Sequence, residues 1–492
     1  MTDSSITTIR TLVLGAGFGG LGMGAQLKRN GDDDFLILER GNDIGGVWRD
    51  NVYPGAACDT EAHLYCYRFL PHRRVSRMYA GRDELLAYMR TIVKTFVLDA
   101  HILFESEIIS ANWHEPTKRW HFETKRGDRY VAEFFVPAWG QLNRPIVPAF
   151  NGLDRFRGAK FHSAEWDYAI DLAGKRVASV GNAASAVQYV PEIAPLVGEL
   201  TVFQRSANWI MPRNQIVFSD EQLDAYERDP ESFEASRRHL HAFREAGFQR
   251  TQHSTKEQAE GMAIALAHLE AQIPDPQLRA KLTPDYEFAC KRILRSDDYF
   301  PALTRANVHL ETRRIREFDE DGIVTDDRER HGFDIVIFGT GFESQAFHGD
   351  LRITGRNGVK LDDAWSDGAQ AYLGMAVPDF PNMFMIYGPN TNLNHNSIIT
   401  MLEIQQNYIL QAMKTASADR IALDVDEGVF DRFNEKLQRD MTHSAFSSGC
   451  SSWYKNAAGK VINNWSGTAD AYRQAAWFDI ADFQASERGS RR

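Results

Sequence analysis

Residues 12–20 read Leu12-Val13-Leu14-Gly15-Ala16-Gly17-Phe18-Gly19-Gly20, and they decide the fold. An apolar run ends in a glycine turn, and a stretch rich in Ala, Leu and Met follows it as a predicted helix. The glycines at 15, 17 and 20 match the GxGxxG fingerprint, in which they allow a tight turn, close approach of a pyrophosphate and close helix packing. We therefore expect Gly15, Gly17, Phe18 and Gly20 to bind a dinucleotide.

An acid at the end of the next predicted strand indicates which dinucleotide this is. Glu39 follows the strand Phe35–Leu38 and stands 24 residues after Gly15. A carboxylate at this place accepts hydrogen bonds from both ribose hydroxyls and repels a 2′-phosphate. Strand, turn, helix and acid together predict FAD on the first loop, and a glycine turn without a ligand is the minority interpretation.

A second, altered glycine loop reads Val180-Gly181-Asn182-Ala183-Ala184-Ser185-Ala186. Alanine replaces the second and third glycines of the fingerprint, so the motif by itself is weak. Arg205 stands 24 residues after Gly181, where the first half of the chain has Glu39. A guanidinium suits bidentate binding of a 2′-phosphate, although an ordinary surface arginine is the bland alternative. The second loop therefore predicts NADP(H), bound by Gly181, Asn182, Ala183, Ser185, Ala186 and Arg205.

The alternation of strand-like and helical stretches predicts an α/β fold with two Rossmann-like dinucleotide-binding domains. We expect the first part of the FAD-binding domain over 1–150 and an NADP-binding domain over 151–330. Residues 331–492 are expected to complete the FAD-binding domain and to supply substrate and cofactor loops. Between about 218 and 281 the sequence becomes charged and helical, which indicates a helical insertion in the NADP-binding domain.

The predicted elements rest on apolar runs and on helical spacing. In the insertion, Met262, Leu266, Leu269 and Ile273 are spaced to form one apolar helix face. The predicted strands are Thr11–Leu14, Phe35–Leu38, His101–Phe104, Trp120–Thr124, Val131–Val136, Arg176–Val180, Leu200–Phe203, Val308–Glu311, Asp334–Phe338 and Met383–Tyr387.

Composition narrows the function classes. The chain has 492 residues, a formal charge of −11 and a mean hydropathy of −0.41. Charges of both signs are interspersed, which argues against a nucleic-acid partner. No apolar stretch reaches membrane-spanning length and no leader precedes the first strand, so we expect a cytoplasmic protein with no obligate protein partner. No CxxC pair or zinc spacing is present, and we expect four reduced structural thiols and no metal site: Cys58, Cys66, Cys290 and Cys450.

Two further segments distinguish among flavin enzymes. One contains Gly45-Gly46-Val47-Trp48 and Tyr53-Pro54-Gly55-Ala56-Ala57-Cys58-Asp59, and the other reads Phe156-Arg157-Gly158-Ala159-Lys160-Phe161-His162-Ser163-Ala164-Glu165-Trp166-Asp167. They resemble the signatures GGxWxxxxYPGxxxD and FxGxxxHxxxW of the type I (class B) Baeyer–Villiger flavin monooxygenases. In length and segment order the chain is similar to the phenylacetone and hydroxyacetophenone monooxygenases. The resemblance extends from Gly15 to about Tyr472, and the Trp-Asp ending differs from the Tyr-Lys of the simple flavin-containing oxygenases.

The resemblance implies roles for individual residues. Arg292 is implied to stabilise a C4a-peroxyflavin and the adduct that it forms, and Asp59 to orient Arg292. Lys291 would share the 2′-phosphate with Arg205, and Trp453 would hold the nicotinamide cofactor near the flavin. Further cofactor contacts are implied for Arg40, Gly46, Val47, Trp48, Tyr53, Tyr65, Gln141, Ser206 and Asn390.

The implied activity is an NADPH- and O₂-dependent conversion of ketones to esters or lactones, with sulfoxidation as a side activity. Two alternatives stay open, a flavin-dependent N- or S-oxygenase and a non-oxygenating FAD/NADP redox protein. Arg295 could share the role of Arg292. His162 and Trp166 are expected to be structural, because ketone chemistry does not obviously require them.

Overall fold

A seven-stranded sheet and a five-stranded sheet organise the chain in our computed structural model, which describes residues 6–487. Residues 1–5 and 488–492 lie outside the described part. No described helix combines the length and the apolar character needed to cross a membrane.

The strands, in chain order, are β1 (Thr7–Leu14), β2 (Phe35–Leu38), β3 (Ile102–Leu103), β4 (Ile108–His114), β5 (Arg119–Thr124), β6 (Arg129–Pro137), β7 (Ala159–His162), β8 (Arg176–Val180), β9 (Glu199–Phe203), β10 (Ile210–Met211), β11 (Leu294–Arg295), β12 (Val308–Glu311), β13 (Ile315–Phe318), β14 (Gly322–Thr325), β15 (Arg330–Gly332), β16 (Ile335–Phe338), β17 (Arg352–Thr354), β18 (Ile421–Val425) and β19 (Phe483–Glu487).

The α-helices are α1 (Phe18–Arg29), α2 (Val47–Asp50), α3 (Arg82–Phe96), α4 (Ala184–Ile193), α5 (Asp220–Arg228), α6 (Pro230–Ala246), α7 (Lys256–Gln272), α8 (Pro276–Leu282), α9 (Tyr299–Leu303), α10 (Leu361–Ala364), α11 (Ile398–Ala418), α12 (Glu427–Met441) and α13 (Ala469–Ala475).

The larger sheet has the order β17-β4-β5-β6-β1-β2-β3. Its centre, β1, pairs in parallel with β2 and with β6, while β4, β5 and β6 form an antiparallel meander. Residues 11–14 of β1 and all of β2 are buried or half-buried, which agrees with their almost entirely apolar sequences. On one face α1 packs between α3 and α11, and Gly22 of α1 leaves room for the side chain of Tyr67.

The smaller sheet, β12-β9-β8-β16-β7, is parallel throughout. The chain enters this second domain after β6 and returns to the first sheet at β17. Entry and exit lie side by side, because Pro145 bridges Phe342 and the N–H of Ile146 donates to the carbonyl of Gly341 at 3.0 Å. The two dinucleotide-binding domains of Rossmann type predicted from the sequence are therefore confirmed, and one is inserted into the other.

Helices α5 to α8 occupy the predicted insertion, but the predicted apolar face is wrong in one half. Met262 and Leu266 are 38% and 37% exposed, whereas Leu269 and Ile273 are buried. Toward its start α7 buries Gly261 and Ala265 instead. The cause is close packing: a Cβ at Gly261 would lie 2.8 Å from the ring of Phe288, so small residues face the core at this crossing.

The predicted strand Met383–Tyr387 is also wrong as a regular element. The N–H groups of Phe384 and Ile386 donate to the carbonyls of Phe135 and Pro137 at 2.9 and 2.8 Å, but a regular ladder does not form. The reason is that Pro137 has no N–H with which to donate to the carbonyl of Phe384, so the pairing is limited to a bridge between Phe135 and Met383.

The expectation of four reduced thiols fails for one pair. Cys290 and Cys450 form a disulfide that spans 160 residues of sequence, whereas Cys58 and Cys66 are free and buried. Nothing in the spacing of the cysteines indicates this pair, because the fold alone brings the two segments together.

Candidate active site

One cavity of about 1380 Å³ lies between the two domains. The glycine loop after β1 and the glycine loop after β8 both line it, together with segments from the last third of the chain. In parallel α/β sheets, ligands bind at the carboxyl ends of the strands, where these two loops stand.

The first loop has the conformation that its glycines require. Gly15 has a φ of +96°, and a Cβ there would lie 2.9 Å from the carbonyl oxygen of Ala138. Gly17 lines the cavity, and within residues 6–487 its Cβ would meet Gly46 alone, at 3.9 Å. Gly20 instead packs against the backbone of Gly15. The loop fits a pyrophosphate placed over Gly17 at the N-terminus of α1.

Glu39 lines the same end of the cavity, but much of its carboxylate is already engaged. One oxygen accepts the N–H of Ala16 at 2.8 Å, and the other accepts the N–H of Gly41 at 2.7 Å and Arg49 Nη1 at 2.9 Å. A carboxylate has about four acceptor positions, so roughly one is left for a ribose hydroxyl. The sequence analysis missed Arg49, although a buried acid requires such a counter-charge.

The second loop repeats the turn of the first. Gly181 has a φ of +102°, and a Cβ there would lie 2.5 Å from the carbonyl oxygen of Gly339. Its N–H donates to the carbonyl of Phe203 at 3.0 Å, as the N–H of Gly15 donates to Leu38 at 2.8 Å. Ala183, which replaces the second glycine, lines the cavity before the first turn of α4. The methyl group of Ala183 therefore makes the backbone of the second loop less accessible than the backbone of the first loop at Gly17.

The equivalence of Glu39 and Arg205, which equal spacing suggested, is wrong by one residue. The first glycine of each loop bonds to Leu38 in one sheet and to Phe203 in the other. The residue after each of these is Glu39 and Gln204, so Gln204 is the structural counterpart of the acid. Arg205 comes one position later and is exposed at the cavity. The second βαβ unit is one residue shorter than the first. Counting the same number of residues from each first glycine therefore reaches Glu39 in one unit but passes Gln204 and reaches Arg205 in the other.

Arg205 and Lys291 nevertheless form a cationic corner of the cavity with Ser206. Lys291 Nζ donates to Ser206 Oγ at 2.9 Å and stands 4.3 Å from the ring centre of Tyr286. Burial and then the charge of Arg205 lower the pKa of Lys291. Within residues 6–487 neither cation forms a salt bridge with a carboxylate. The charge of Asp285 also acts on Lys291, but without a salt bridge, so both cations keep the capacity to bind a dianionic phosphate group.

Arg292 and Asp59 meet in the wall of the cavity, as the sequence analysis expected. Arg292 Nη2 donates to both oxygens of Asp59, at 2.8 and 2.7 Å, and Nε adds a third bond at 3.2 Å. Burial opposes ionisation of Asp59, but the charge and hydrogen bonds of Arg292 outweigh it and lower the carboxyl pKa. About a third of the Arg292 side chain stays exposed to the cavity, so a fixed positive charge faces the space where a substrate binds.

A second buried ion pair, which was not expected from the sequence, holds the backbone of Asp59. Arg244 on α6 binds Glu61 at 2.6 Å and donates to the backbone carbonyl of Asp59 at 3.1 Å. Tyr79 donates its hydroxyl to the other oxygen of Glu61 at 3.1 Å. The helical insertion thereby fixes the loop that carries Asp59. Arg295 does not line the cavity and donates to the carbonyl of Pro212 at 3.3 Å.

Aromatic side chains complete the lining. Trp48 donates from its indole to the hydroxyl of Tyr65 at 3.3 Å. Tyr53 was expected on the flavin side, but its hydroxyl donates to Gln188 on α4 at 3.0 Å and so connects the two domains. Trp453 lines the opposite wall, and its carbonyl accepts the hydroxyl of Ser344 at 3.4 Å.

Comparison with known proteins identifies the family to which this chain belongs. Residues 8–220 match the family model described as flavin-binding monooxygenase-like. A Baeyer–Villiger monooxygenase of Streptomyces coelicolor is 39% identical over 97% of the chain and 92% of its own length. The chain belongs to the Baeyer–Villiger monooxygenases. A second relative of this name, from Pseudomonas aeruginosa, is 38% identical over 96% of the chain and 90% of its own length.

A solved structure supports this assignment. The cyclohexanone monooxygenase of Rhodococcus sp. Phi1 bound to NADP⁺ superposes with a TM-score of 0.87 at 26% identity, covering 98% of this chain and all of that one. The Baeyer–Villiger monooxygenase described here therefore shares its whole architecture, and not only its nucleotide-binding half, with that enzyme.

In this Baeyer–Villiger monooxygenase the family fingerprint at 156–167 lies in the second domain. Trp166 packs its ring 5.4 Å from that of Tyr189 on α4 and 5.2 Å from that of Phe161 on β7. His162 is buried, and its Nδ1 accepts the N–H of Ala164 at 3.1 Å where β7 ends. These contacts place Trp166 and His162 in the core of the second domain, and a structural role for them stays a prediction.

The other expected cofactor residues divide into two groups. Asn390 does not reach the cavity lining but donates to the carbonyls of Val461 and Asn464 at 2.9 and 3.0 Å, and so fixes the last part of the chain. Ala186 also does not line the cavity, because it lies on the buried face of α4. The cavity is lined by Phe18, Arg40, Gly46, Val47, Trp48, Tyr65, Gln141, Asn182, Ser185 and Ser206.

Proposed function

We propose that this Baeyer–Villiger monooxygenase binds FAD on the loop at Gly15 and NADPH on the loop at Gly181, and that it oxidises a ketone with O₂ to an ester or lactone. The observation that carries the proposal is the Arg292–Asp59 pair in the cavity that both loops share. The cytoplasmic location stays a prediction from composition.

The residues present fit both cofactors. Gly17 leaves the backbone of the first loop accessible to a pyrophosphate, which a side chain there would obstruct, and Gly15 permits the turn that brings this backbone to the cavity. Glu39, the acid beside that loop, disfavours a 2′-phosphate there. Arg205 and Lys291 supply a positive corner without a salt-bridged carboxylate beside the second loop, which favours NADPH over NADH.

Arg292 is the group that meets the reacting atoms in this proposal. When bound, FAD accepts hydride from NADPH and then activates O₂. A guanidinium keeps its charge at every working pH and offers several donors, so it stabilises negative charge that develops on oxygen during the reaction. Asp59 holds the guanidinium plane by a bidentate contact, and Arg244 holds Asp59 through its carbonyl. No side chain has to act as a nucleophile.

The test replaces Arg292 with alanine and, as a matched control, with lysine. We expect Arg292→Ala to be reduced by NADPH at close to the wild-type rate but to form ester at least about 100-fold more slowly, as for loss of an oxyanion donor. Arg292→Lys keeps the charge and should retain part of the activity. Flavin absorbance follows the first step, and mass spectrometry of a ketone panel follows the second. Wild-type ester formation by the alanine variant contradicts the assignment.

The same assay separates the alternatives. A panel containing one ketone and one sulfide distinguishes a ketone monooxygenase from an oxygenase that acts on heteroatoms. NADPH consumption that yields only hydrogen peroxide, with neither ester nor sulfoxide, would indicate a redox protein without an oxygenating role.

A further inference from the structure

The Cys290–Cys450 disulfide joins two walls of the cavity. Cys290 directly precedes Lys291 and Arg292, which line the cavity on the side of the second domain. Cys450 directly precedes Ser451–Trp453, which line it from the last third of the chain. The bond therefore connects the cationic wall with the wall that carries the indole of Trp453.

Other contacts hold the second wall only weakly. The backbone N–H groups of residues 449–453 donate no hydrogen bond to any residue between 6 and 487. The flanking contacts are Ser344 Oγ to the carbonyl of Trp453 at 3.4 Å, and His253 Nε2 beside Ser447 Oγ at 3.2 Å. Between these two points residues 448–452 are half-buried or exposed, and the ring of Trp453 packs against the buried cluster that contains Tyr454. For residues 449–452 the disulfide is therefore the main attachment to a distant part of the chain.

The two sulfurs differ in access. Cys290 is fully buried, whereas Cys450 is half-buried on an exposed segment. A small oxidant or a dithiol can therefore reach the bond from the side of Cys450. The other two cysteines, Cys58 and Cys66, are buried, and burial raises the pKa of the Cys58 thiol to about 12, so that pair is unreactive by comparison.

We propose that Cys290 and Cys450 form a redox-active pair whose disulfide holds residues 449–453 closed over the NADP(H) site and whose reduction releases them. This rests on the proposed function for the identity of the bound nucleotide. Where disulfides occur in a reducing compartment they are mostly transient or redox-sensing, which is the behaviour expected of such a pair.

The chemistry balances with a hydroperoxide as oxidant. The sulfur of Cys450 attacks the outer oxygen, the O–O bond breaks, and an alcohol or water leaves with formation of a sulfenic acid. The thiol of Cys290 then attacks that sulfur, the S–S bond forms and water leaves. Two electrons pass from the thiols to the peroxide. A dithiol reverses the change by thiol–disulfide exchange and is itself oxidised to a disulfide.

Closure should affect nucleotide binding, because a released segment has to be ordered again when the nucleotide binds. Ordering the backbone of each released residue carries an entropic cost. We therefore expect reduction to raise the Kd of NADP⁺ about tenfold, which corresponds to about 1.4 kcal/mol.

The experiment compares the FAD-loaded wild type and Cys450→Ser, each before and after dithiothreitol that is then removed without air. Denatured wild type should show two free thiols before reduction and four after it. NADP⁺ titration gives Kd, and hydrogen–deuterium exchange gives the protection of residues 449–453. We expect the tenfold change and faster exchange in the wild type, and no response to dithiothreitol in Cys450→Ser, whose values should match the reduced wild type.

Four free thiols in the air-oxidised wild type, or an unchanged Kd and unchanged exchange after reduction, would overturn the proposal. The comparison of oxidised with reduced wild type needs no substitution. It therefore tests the proposal even if Cys450→Ser does not fold. Neither readout requires ester formation. Failure of the ketone activity with an intact redox effect would therefore contradict the proposed reaction and leave the cysteine pair standing.

Discussion

At the scale of a single residue, we propose that Arg205 selects NADPH over NADH. Its guanidinium is exposed at the cavity and close enough to Lys291 to lower that lysine's pKa, after the larger effect of burial. Arg205→Ala should raise the KM for NADPH about 10- to 100-fold, since hydrogen bonds to charged groups contribute about 1.5 to 3 kcal/mol. The KM for NADH should change little, because NADH lacks the 2′-phosphate.

A matched control for this substitution is Arg40→Ala, which removes an exposed arginine that follows Glu39 in the first domain as Arg205 follows Gln204 in the second. Initial rates over a range of NADPH and NADH concentrations decide the matter. If the KM for NADPH and the KM for NADH rose by the same factor, Arg205 would support the loop at Gly181 and would not bind the 2′-phosphate.

Site residues were predictable from sequence where a motif fixes the backbone, and not where only the fold brings groups together. Gly15 and Gly181 could be assigned because a positive φ next to a carbonyl restricts the position to glycine. Arg49 and Arg244 were missed because their partners, Glu39 and Glu61, lie 10 and 183 residues away and no periodic pattern marks such pairs.

At the scale of elements, Glu245 connects the end of α6 with the start of α13. Its oxygens accept the N–H groups of Ala469 at 3.1 Å and Asp470 at 2.9 Å, and Asn396 donates to it at 2.7 Å. Burial opposes ionisation, but hydrogen bonds from His395, Asn396 and the backbone outweigh it and lower the pKa of Glu245 to about 2.

This depressed pKa makes a prediction about stability. The contribution of the ionised carboxylate is complete above about pH 4.5, its unfolded value, and is lost as the pH falls toward 2. Glu245→Gln should therefore lower the free energy of unfolding by about 1 to 2 kcal/mol at pH 7, after allowance for solvent screening. The difference from the wild type should shrink below pH 4.5.

Urea unfolding between pH 3.5 and pH 7 measures this difference, and Glu260→Gln on the exposed face of α7 removes the same charge as a control. A gap between Glu245→Gln and the wild type that stays constant across the range would rule out the carboxylate as its source.

The elements themselves show where periodicity succeeds. The strands β2, β8 and β12 have the predicted bounds: β2 is apolar throughout, and β8 and β12 keep buried apolar residues although Arg176 and His309 are exposed. Helix α7 was placed correctly but rotated at its start, since Gly261 and Ala265 were not counted as core residues. Small residues at a close crossing carry no hydrophobic signal, although they decide which face is buried.

At the scale of the whole molecule, the FAD site is built from distant parts of the chain. Its walls come from the loop after β1, from Gln141 after β6, and from Tyr387 and Leu393 in the last third. We expect removal of FAD to lower Tm and added FAD to restore it, with about 1.4 kcal/mol gained for each tenfold excess over Kd.

Differential scanning fluorimetry across an FAD series measures this dependence, with flavin-free buffer as the reference. NADP⁺ alone should stabilise the FAD-free protein less, because its loop and cationic corner belong largely to the inserted domain. An unchanged Tm over the series would mean that the first glycine loop does not bind FAD in the folded protein.

The side-by-side strands at Pro145 and Phe342 have a consequence for how the chain assembles. Between them lie all five strands of the second sheet, and β17, which pairs with β4 of the first sheet, follows them along the chain. If the inserted residues were a disordered loop, formation of the first sheet would include the entropic cost of closing that loop. A folded insertion with adjoining ends instead acts as a link of a few residues. On a ribosome the inserted part is complete before the outer part has received its last strand, so the last-made portion of the enzyme finishes the first-made one.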